Sequence, residues 1–277
     1  MLRLNRVTIT GADDNTDIDQ LLSLHNDFPF IEYAILFSPK RQGTARYPSL
    51  DWVSKFTSAV SNSFSWEHRP NFAAHLCGTY TRDILLKGDI LTFRDLMDCR
   101  KGLAFSLWNR IQLNLGNRPL PDPELKNLFN AIHSLCLFSD SGNTNKQYIM
   151  GGSQGYVEEA QQLCSKWKDL WDKPQFLDTN STALEDSLVV SLFDASGGRG
   201  LETKNWPEYQ PPYCGFAGGL NPENVARNIE NILKQDTNGP FWIDVESGVR
   251  DKQDILNLQL VQEFLVEAHP FIAKKLA

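Results

Sequence analysis

A glycine-containing stretch near the C-terminal end of the sequence has the residue types of a phosphate-binding turn. It reads FAGGLNPENV, and Gly218 and Gly219 allow the backbone to turn tightly after an apolar run. Asn221 is a favoured N-cap residue and Pro222 is favoured at the first helical position, so a helix is predicted to follow through Leu233. A glycine turn before a helix N-terminus with free N–H groups suits a phosphate, although the same pattern also forms turns that bind nothing.

Two further loops contain residues that could act beside such an anion. The sequence IDVESGVRD includes Ser247 and Gly248, which could donate hydrogen bonds, and Asp244, a charged residue within an apolar strand. We therefore expect Asp244 to face the open end of the fold. Asp194 ends another apolar run and precedes a glycine loop, where a carboxylate could act in catalysis or could simply cap the turn.

The elements that must position these residues alternate between apolar runs and helical patterns, which predicts parallel strands joined by right-handed crossovers. The eight predicted strands are Arg6–Thr10, Tyr33–Phe37, Phe72–Leu76, Arg110–Leu113, Gln147–Met150, Leu188–Phe193, Tyr213–Ala217 and Phe241–Val245. Leu135–Phe138 is an alternative for the fifth. Eight such units favour an α/β fold with a single (β/α)8 TIM barrel over residues 1–277, and a doubly wound open sheet is the alternative.

Helices and long connections complete the predicted barrel. The helices include Asp17–His25 with Thr16 as its cap, Pro48–Val60, Leu91–Met97, Pro121–Leu135 and Val157–Trp167. Polar connections at residues 139–146 and 172–186 are expected to be insertions around strands 5 and 6. In TIM barrels the active site lies at the carboxyl ends of the strands, and phosphate commonly binds in the loops after strands seven and eight. The loops with Gly218 and Ser247 occupy those two places, which strengthens the prediction of a phosphate site.

Composition limits the classes of partner. Of the 277 residues, 41% are hydrophobic and 22% are charged, as is typical of a soluble globular protein. The net charge of -7 argues against nucleic acid as a partner, because a phosphate backbone requires a basic surface. A small phosphorylated metabolite is still compatible with this charge, since a few arginines can outweigh the overall sign locally. The sequence indicates no partner protein.

Neither a membrane segment nor a cofactor or metal site is predicted. The opening MLRLNRVTIT has no long apolar run, and no stretch of about 18 apolar residues occurs. Five cysteines without a C-x-x-C pair indicate reduced thiols in a cytoplasmic protein rather than disulfides or a zinc site. GGSQGY at Gly151 lacks the glycine spacing of a dinucleotide-binding loop.

Three C-terminal motifs and two fainter ones match the pattern of a known enzyme family. AGGLNPENV, from Ala217, is similar to A-G-G-L-N-P-x-N-V, and DVESGVR, from Asp244, is similar to D-V-S-S-G-V-E. LFDASGGRGLETKNW, from Leu192, is similar to a strand-six aspartate with its glycine-rich loop. FSPKRQGTARY, from Phe37, and IQLNLG, from Ile111, are weaker matches to F-x-P-K-S-x-R-Y and V-Q-L-H-G. The sequence therefore resembles the phosphoribosylanthranilate isomerases, TIM-barrel enzymes of tryptophan biosynthesis, most strongly over its last third.

The resemblance implies a reaction and a set of site residues. The family carries out an Amadori rearrangement, which needs an acid at the ring oxygen of the sugar and a base at C2. It implies that Asp194 is the acid and that Arg46 and Asp244 bind the substrate. The phosphate is expected against Gly197, Gly198, Gly218, Gly219, Ser247 and Gly248. Arg199 replaces the family's usual Thr and could add a bidentate phosphate contact, or could be a solvated surface charge.

One departure from the family concerns the base. Thr10 stands at the position where the family's K-I-C-G motif has the cysteine that acts as the base. A thiol can reach the thiolate near neutral pH, whereas a threonine hydroxyl titrates far higher and needs a base of its own. Asp13, which follows the first strand, and His75 and Cys77, at the end of the third, are candidates for that role.

A second departure is Glu246, because the family has Ser or Asn there and a carboxylate would repel a phosphate. We expect Glu246 to pair with Arg199 or Arg250, or to point away from the ligand.

Three functions follow from these patterns. The chain is an isomerase-like enzyme on a phosphoribosyl-type substrate, with Asp194 as acid and Thr10 in the place of the base. Alternatively, it is a genuine phosphoribosylanthranilate isomerase with a relocated base, or a non-catalytic protein that binds a phosphorylated metabolite.

Overall fold

A computed structural model of the chain describes its N-terminal and C-terminal parts and several central segments. The described residues are 1–65, 68–87, 107–114, 123–124, 127, 147–152, 189–194, 200–203, 205–211 and 213–272. The predicted insertions at 139–146 and 172–186 lie outside these ranges, as do the predicted helices Leu91–Met97 and Val157–Trp167 and most of Pro121–Leu135.

Eight parallel strands form a closed barrel in which each strand pairs with the next along the chain and the eighth pairs with the first. They are β1 (Leu2–Thr10), β2 (Ile31–Phe37), β3 (Asn71–Leu76), β4 (Arg110–Asn114), β5 (Gln147–Gly152), β6 (Val189–Asp194), β7 (Cys214–Ala217) and β8 (Gly239–Val245). Closure leaves no free sheet edge, which agrees with the predicted barrel and excludes the doubly wound open sheet.

The strands follow the predicted apolar runs, with small shifts at their ends. β1 begins at Leu2, before the predicted Arg6, because Leu2–Leu4 pair with Gly239–Phe241 of β8. β5 begins at Gln147 as predicted and pairs with both β4 and β6. The alternative, Leu135–Phe138, lies outside the described residues.

Five α-helices lie within the described residues: α1 (Ile18–Asp27), α2 (Leu50–Ser63), α3 (Thr79–Lys87), α4 (Val225–Leu233) and α5 (Leu258–Ala268). α1 is capped by Asp17, whose carboxylate accepts the N–H of Gln20, and not by the predicted Thr16. The Thr16 hydroxyl accepts the N–H of Asp13 instead, which makes the loop after β1 compact. None of the described helices is long and apolar enough to cross a membrane.

The start of α4 differs from the predicted one. Residues 222–224 form a turn, and the helix begins at Val225 rather than at Pro222. The Asn221 side chain accepts the N–H groups of Glu223 and Asn224 at 3.0 and 3.1 Å, so Asn221 does act as a cap. Because these two N–H groups are already bonded, the expectation of a fully free helix N-terminus was wrong.

The interior of the barrel contains a cluster of buried polar side chains. The Glu32 carboxylate on β2 accepts hydrogen bonds from Arg110 at 2.7 Å and from Thr8 at 2.8 Å. The Arg110 guanidinium lies 4.1 Å from the ring centroid of Trp242. A side chain at Gly215 would meet that ring, because a Cβ there would lie 2.1 Å from it. This filled layer leaves the open space of the barrel at the carboxyl ends of the strands.

Candidate active site

A cavity of about 660 Å³ lies at the carboxyl ends of the strands, where the barrel fold places active sites. Its wall includes these predicted site residues: Thr10, Arg46, His75, Cys77, Asp194, Gly218, Gly219, Asp244, Ser247 and Gly248. Asp13 is absent from the described wall of this cavity. Gly197, Gly198 and Arg199 lie outside the described residues, so their predicted phosphate contacts stay predictions.

Thr10 and Asp244 form a buried hydrogen-bonded pair on the cavity floor. β1 and β8 are neighbours, and the Thr10 hydroxyl donates to Asp244 Oδ1 at 2.8 Å. Burial raises the pKa of Asp244 to about 8, although the hydrogen bond from Thr10 acts in the opposite direction. The nearby charges of Glu246 and Glu32 raise this pKa further. The Asp244 carboxyl group therefore changes charge close to neutral pH.

His75 reaches the same pair from β3. Its Nε2 lies 3.9 Å from Asp244 Oδ2 and has no hydrogen-bond partner within the described structure. Burial lowers the pKa of His75 to about 3, so the imidazole is neutral near pH 7. A neutral imidazole with one unpaired ring nitrogen can exchange a hydrogen bond with a ligand, but it is a weak base.

The other two candidate bases are poorly suited to the role. Cys77 Sγ accepts a hydrogen bond from Asn114 at 3.0 Å, and burial raises the pKa of the thiol, which disfavours the thiolate. Asp13 Oδ2 accepts hydrogen bonds from Arg250 Nη2 at 2.9 Å and from the backbone N–H of Arg46 at 2.9 Å. Asp13 thus holds loops together and does not face the cavity.

Asp194 lies across the cavity from the Thr10–Asp244 pair. It ends β6, and both Asp194 and Asp244 are in register with Ala217 of the intervening strand β7. Since neighbouring strands are about 4.8 Å apart, the two carboxyl-bearing strands are about 10 Å apart. A small side chain at Ala217 and the turn at Gly218 leave this gap open, and a sugar ring could lie there.

Arg46 lies in the loop after β2 and forms a dense set of ion pairs. Its Nε lies 3.0 Å from each carboxylate oxygen of Asp254, and its Nη2 lies 2.7 Å from Asp254 Oδ1. Its Nη1 donates to Glu246 Oε1 at 2.8 Å and to Ser247 Oγ at 3.2 Å. Hydrogen bonds to Asp254 and Glu246 raise the pKa of Arg46 above its usual value.

Glu246 therefore has a different partner from the one predicted. It pairs with Arg46 and lies on the cavity wall. The predicted pairing with Arg250 is wrong, because the buried Arg250 guanidinium turns inward to Asp13, to the Gly11 carbonyl and to Asp254. The alternative partner, Arg199, lies outside the described residues.

The turn after β7 is in close contact with two other segments, the one after β6 and the loop after β8. Gly219 has φ of +65°, and a Cβ there would lie 2.1 Å from the backbone nitrogen of Glu202. A Cβ on Gly248 would lie 1.9 Å from the carbonyl oxygen of Leu220. The Asn224 side chain donates a hydrogen bond to the Gly219 carbonyl at 3.0 Å, which holds the turn in place. Each glycine is therefore required by a close approach to a different backbone segment.

Sequence reasoning missed several residues of the cavity wall. Gln112 and Asn114 alternate along β4 and are hydrogen-bonded to each other at 2.8 Å. Their period of two in the run RIQLN was an available signal for inward-facing polar groups. Asp254 gave no such signal, because it is 208 positions from its partner Arg46.

Sequence comparison identifies a related family. Residues 151–267 match the family model of N-(5'-phosphoribosyl)anthranilate isomerase. An N-(5'-phosphoribosyl)anthranilate isomerase from Hahella chejuensis is 37% identical over 54 residues. That alignment covers 20% of this chain and 22% of the relative, so the chain matches about a fifth of the curated relative's length.

Solved structures share the fold over nearly the whole chain. A phosphoribosyl anthranilate isomerase in complex with reduced 1-(o-carboxyphenylamino)-1-deoxyribulose 5-phosphate superposes with a TM-score of 0.53 at 16% identity. The match covers 96% of this chain and 100% of that one. TrpF from Jonesia denitrificans gives a TM-score of 0.52 at 16% identity, over 96% and 97% of the two chains. The chain is thus similar in sequence to the phosphoribosylanthranilate isomerases over its C-terminal part, and it shares the fold of these solved structures.

Proposed function

We propose that the chain is an isomerase that rearranges a phosphoribosyl-type amine, with Asp194 as general acid and Asp244 as general base. The observation that carries this proposal is the placement of two carboxyl groups on either side of Ala217 in one cavity. An Amadori rearrangement needs one proton donor and one proton acceptor on different atoms of the sugar. Two carboxyl groups in different environments can divide these roles.

The proposed reaction has two proton transfers. Asp194 gives a proton to the ring oxygen as the C1–O bond breaks, and the lone pair of the amine nitrogen forms an iminium ion at C1. The ionised Asp244 then takes the proton from C2, and the electron pair of that C–H bond forms the C1–C2 double bond of an enolamine. Transfer of a proton to C1 and ketonisation at C2 complete the rearrangement. Thr10 takes no proton in this scheme, and it acts as a positioning residue that holds Asp244 through the 2.8 Å hydrogen bond.

The phosphate is proposed to bind to backbone amides of the two loops beside Asp194. The turn at Gly218 and Gly219 and the loop at Ser247 and Gly248 line one side of the cavity. Within the described structure, the N–H groups of Gly218 and Gly219 donate no hydrogen bond. Backbone N–H groups in such turns bind anions without needing a cation.

A second candidate is a genuine phosphoribosylanthranilate isomerase of tryptophan biosynthesis, which the family match favours. A third is a binding protein that has lost its base together with the cysteine. The first two require turnover, and they differ in the amine that the substrate carries. The third requires phosphosugar binding without turnover.

The test uses ribose 5-phosphate labelled with ¹³C at C2 and condensed with aniline or with anthranilate. Rearrangement converts C2 from an alcohol carbon into a ketone carbon, which NMR resolves directly. We expect Asp194→Asn and Asp244→Asn each to lower the rate by about 10²–10⁴-fold while ribose 5-phosphate still binds. Full activity in either variant would contradict the assignment of that residue. Binding without turnover of any amine in the wild type would favour the third candidate.

A further inference from the structure

Arg46, the predicted substrate-binding cation, is already neutralised within the molecule. Its Nε and both Nη atoms all donate to carboxylates, to Asp254 from one side and to Glu246 from another. Asp254 also receives a hydrogen bond from Arg250 at 2.9 Å, so its position does not depend on Arg46 alone. A ligand carboxylate that approached Arg46 would compete with two carboxylates that are already in place.

The rest of the described wall supplies little positive charge that could replace Arg46. The described wall contains two arginines, Arg41 and Arg46, against four acidic side chains: Asp194, Asp244, Glu246 and Asp254. Arg41 is exposed and lies with its guanidinium 5.6 Å from the ring centroid of Tyr47. An exposed cation of this kind contributes little to binding because water screens its charge. The described wall thus offers no free positive charge to a negative ligand group, except where backbone N–H groups can bind it.

From these contacts we propose that Glu246 is a specificity-determining residue, which occupies Arg46 and makes the cavity select phosphosugars whose amine substituent lacks a carboxylate. The inference rests on the proposed function, because it concerns the other end of the same phosphorylated ligand. Glu246 lies directly before Ser247 and Gly248 in the loop after β8, and the same Arg46 nitrogen, Nη1, donates to Glu246 Oε1 at 2.8 Å and to Ser247 Oγ at 3.2 Å. Repulsion between the Glu246 carboxylate and a ligand carboxylate would weaken the binding of the carboxylated ligand, whereas a ligand without that group would be little affected.

The test compares two ligands that differ by one carboxyl group. The first is reduced 1-(o-carboxyphenylamino)-1-deoxyribulose 5-phosphate, and the second is its phenyl analogue without the carboxyl group. Calorimetric titration of the wild type should show that the phenyl analogue binds more tightly by about tenfold, since the site is partly exposed and screening limits the effect. Glu246→Ser and Glu246→Gln should both abolish this preference. Glu263→Ser, on the exposed face of α5, is the matched control and should keep it.

The possible failures are distinguishable. Equal or tighter binding of the carboxyphenyl ligand to the wild type would overturn the inference and leave the proposed function intact. A preference that persists in both Glu246 variants would overturn the role of Glu246. If neither ligand binds to the wild type and ribose 5-phosphate does not bind either, the proposed function falls, and the inference falls with it.

Discussion

At the scale of single residues, the behaviour of the site depends on how a buried carboxyl group is held. Asp244 has lost most of its contact with water, and the hydroxyl of Thr10 is its close hydrogen-bond donor. Threonine at this position therefore has a physical role even though it cannot replace a thiolate as a base. Thr10 and Asp244 thus form one hydrogen-bonded unit on the cavity floor.

The pH dependence of the reaction tests Asp244 as the base. A base must be ionised to accept a proton, so we expect kcat/KM to rise as the pH increases through about 8, the raised pKa of Asp244. Asp244→Asn should remove this rise and leave a low, flat profile. The measurement is the rate of ketone formation between pH 5 and 10. A rise centred near the ordinary pKa of a carboxyl group would point to a different base.

The same group affects stability with a definite sign. Because folding raises the pKa of Asp244 from 3.8, its neutral form stabilises the fold below about pH 4, and this contribution is lost as the pH rises to about 8. Asp244→Asn stays neutral and should lose less stability than the wild type between pH 5 and pH 9. Urea unfolding at both pH values measures the difference. An identical loss in both proteins would show that Asp244 is not the group responsible.

Thr10 can be tested as a positioning residue by moving the pH profile. Thr10→Val removes the hydrogen bond that lowers the pKa of Asp244, so the rise in kcat/KM should move to higher pH. Thr10→Ser keeps the hydroxyl and should restore the profile of the wild type. If valine lowers the rate equally at every pH, the hydroxyl acts only through packing.

At the scale of elements, the site depends on the close approach of the turn after β7 to the segment at Glu202. Glycine is needed at position 219 for two separate reasons, a left-handed backbone and the absence of space for a Cβ. Only the first reason can be read from a turn motif. The second depends on where a segment from another loop lies.

Gly219→Ala tests these two reasons against a matched glycine. Gly43 also has positive φ, of +81°, but has nothing within 4 Å of the position of a Cβ. Gly43→Ala should lower the free energy of unfolding by about 1–2 kcal/mol, from backbone strain alone. Gly219→Ala should lower it by about 1–3 kcal/mol more and weaken binding of ribose 5-phosphate. Equal effects in urea unfolding and in titration would show that the loop near Glu202 moves aside freely.

At the scale of the whole molecule, a buried cluster of charges links β1, β2 and β4 inside the barrel. The Glu32 carboxylate of β2 forms ion pairs with Arg110 of β4 at 2.7 Å and with Arg6 of β1 at 3.3 Å. Burial alone would raise the pKa of Glu32, but the charges of Arg110 and Arg6 and their hydrogen bonds lower it below its usual value. The stabilisation from Glu32 is therefore present above its ordinary pKa near 4.5 and is lost as the pH falls below it.

Glu32→Gln would leave Arg110 buried without its charged partner. We expect the free energy of unfolding to fall by about 3–5 kcal/mol at pH 7, because an uncompensated buried charge is expensive. The control is Glu202→Gln, which breaks the exposed pair with Arg227 and should change stability by less than about 1 kcal/mol. Chemical denaturation of both variants measures these values. Similar small effects would mean that water reaches Arg110 inside the barrel.

The sequence by itself determined the strands, the order of the loops and the glycine turns. Short apolar runs at β6, β7 and β8 are specified by neighbouring residues, and FAGGLNPENV contains its own turn and cap chemistry. The choice of Asp17 over Thr16 as a cap shows the limit of that reading, since two adjacent residues offer the same chemistry and loop geometry selects one. The prediction of a phosphate site likewise came from local patterns.

Only the tertiary structure decided which charged groups meet. Arg46 and Asp254 are 208 positions apart, and Thr10 and Asp244 are 234 apart, yet each pair is in direct contact. Closing the barrel makes β1 and β8 neighbours and brings the loops after β1, β2 and β8 together. Electrostatic interactions depend on distance in space, and a local pattern contains no information about that distance. The partner of Glu246 and the hydrogen bond between Thr10 and Asp244 could therefore be identified only from the closed barrel.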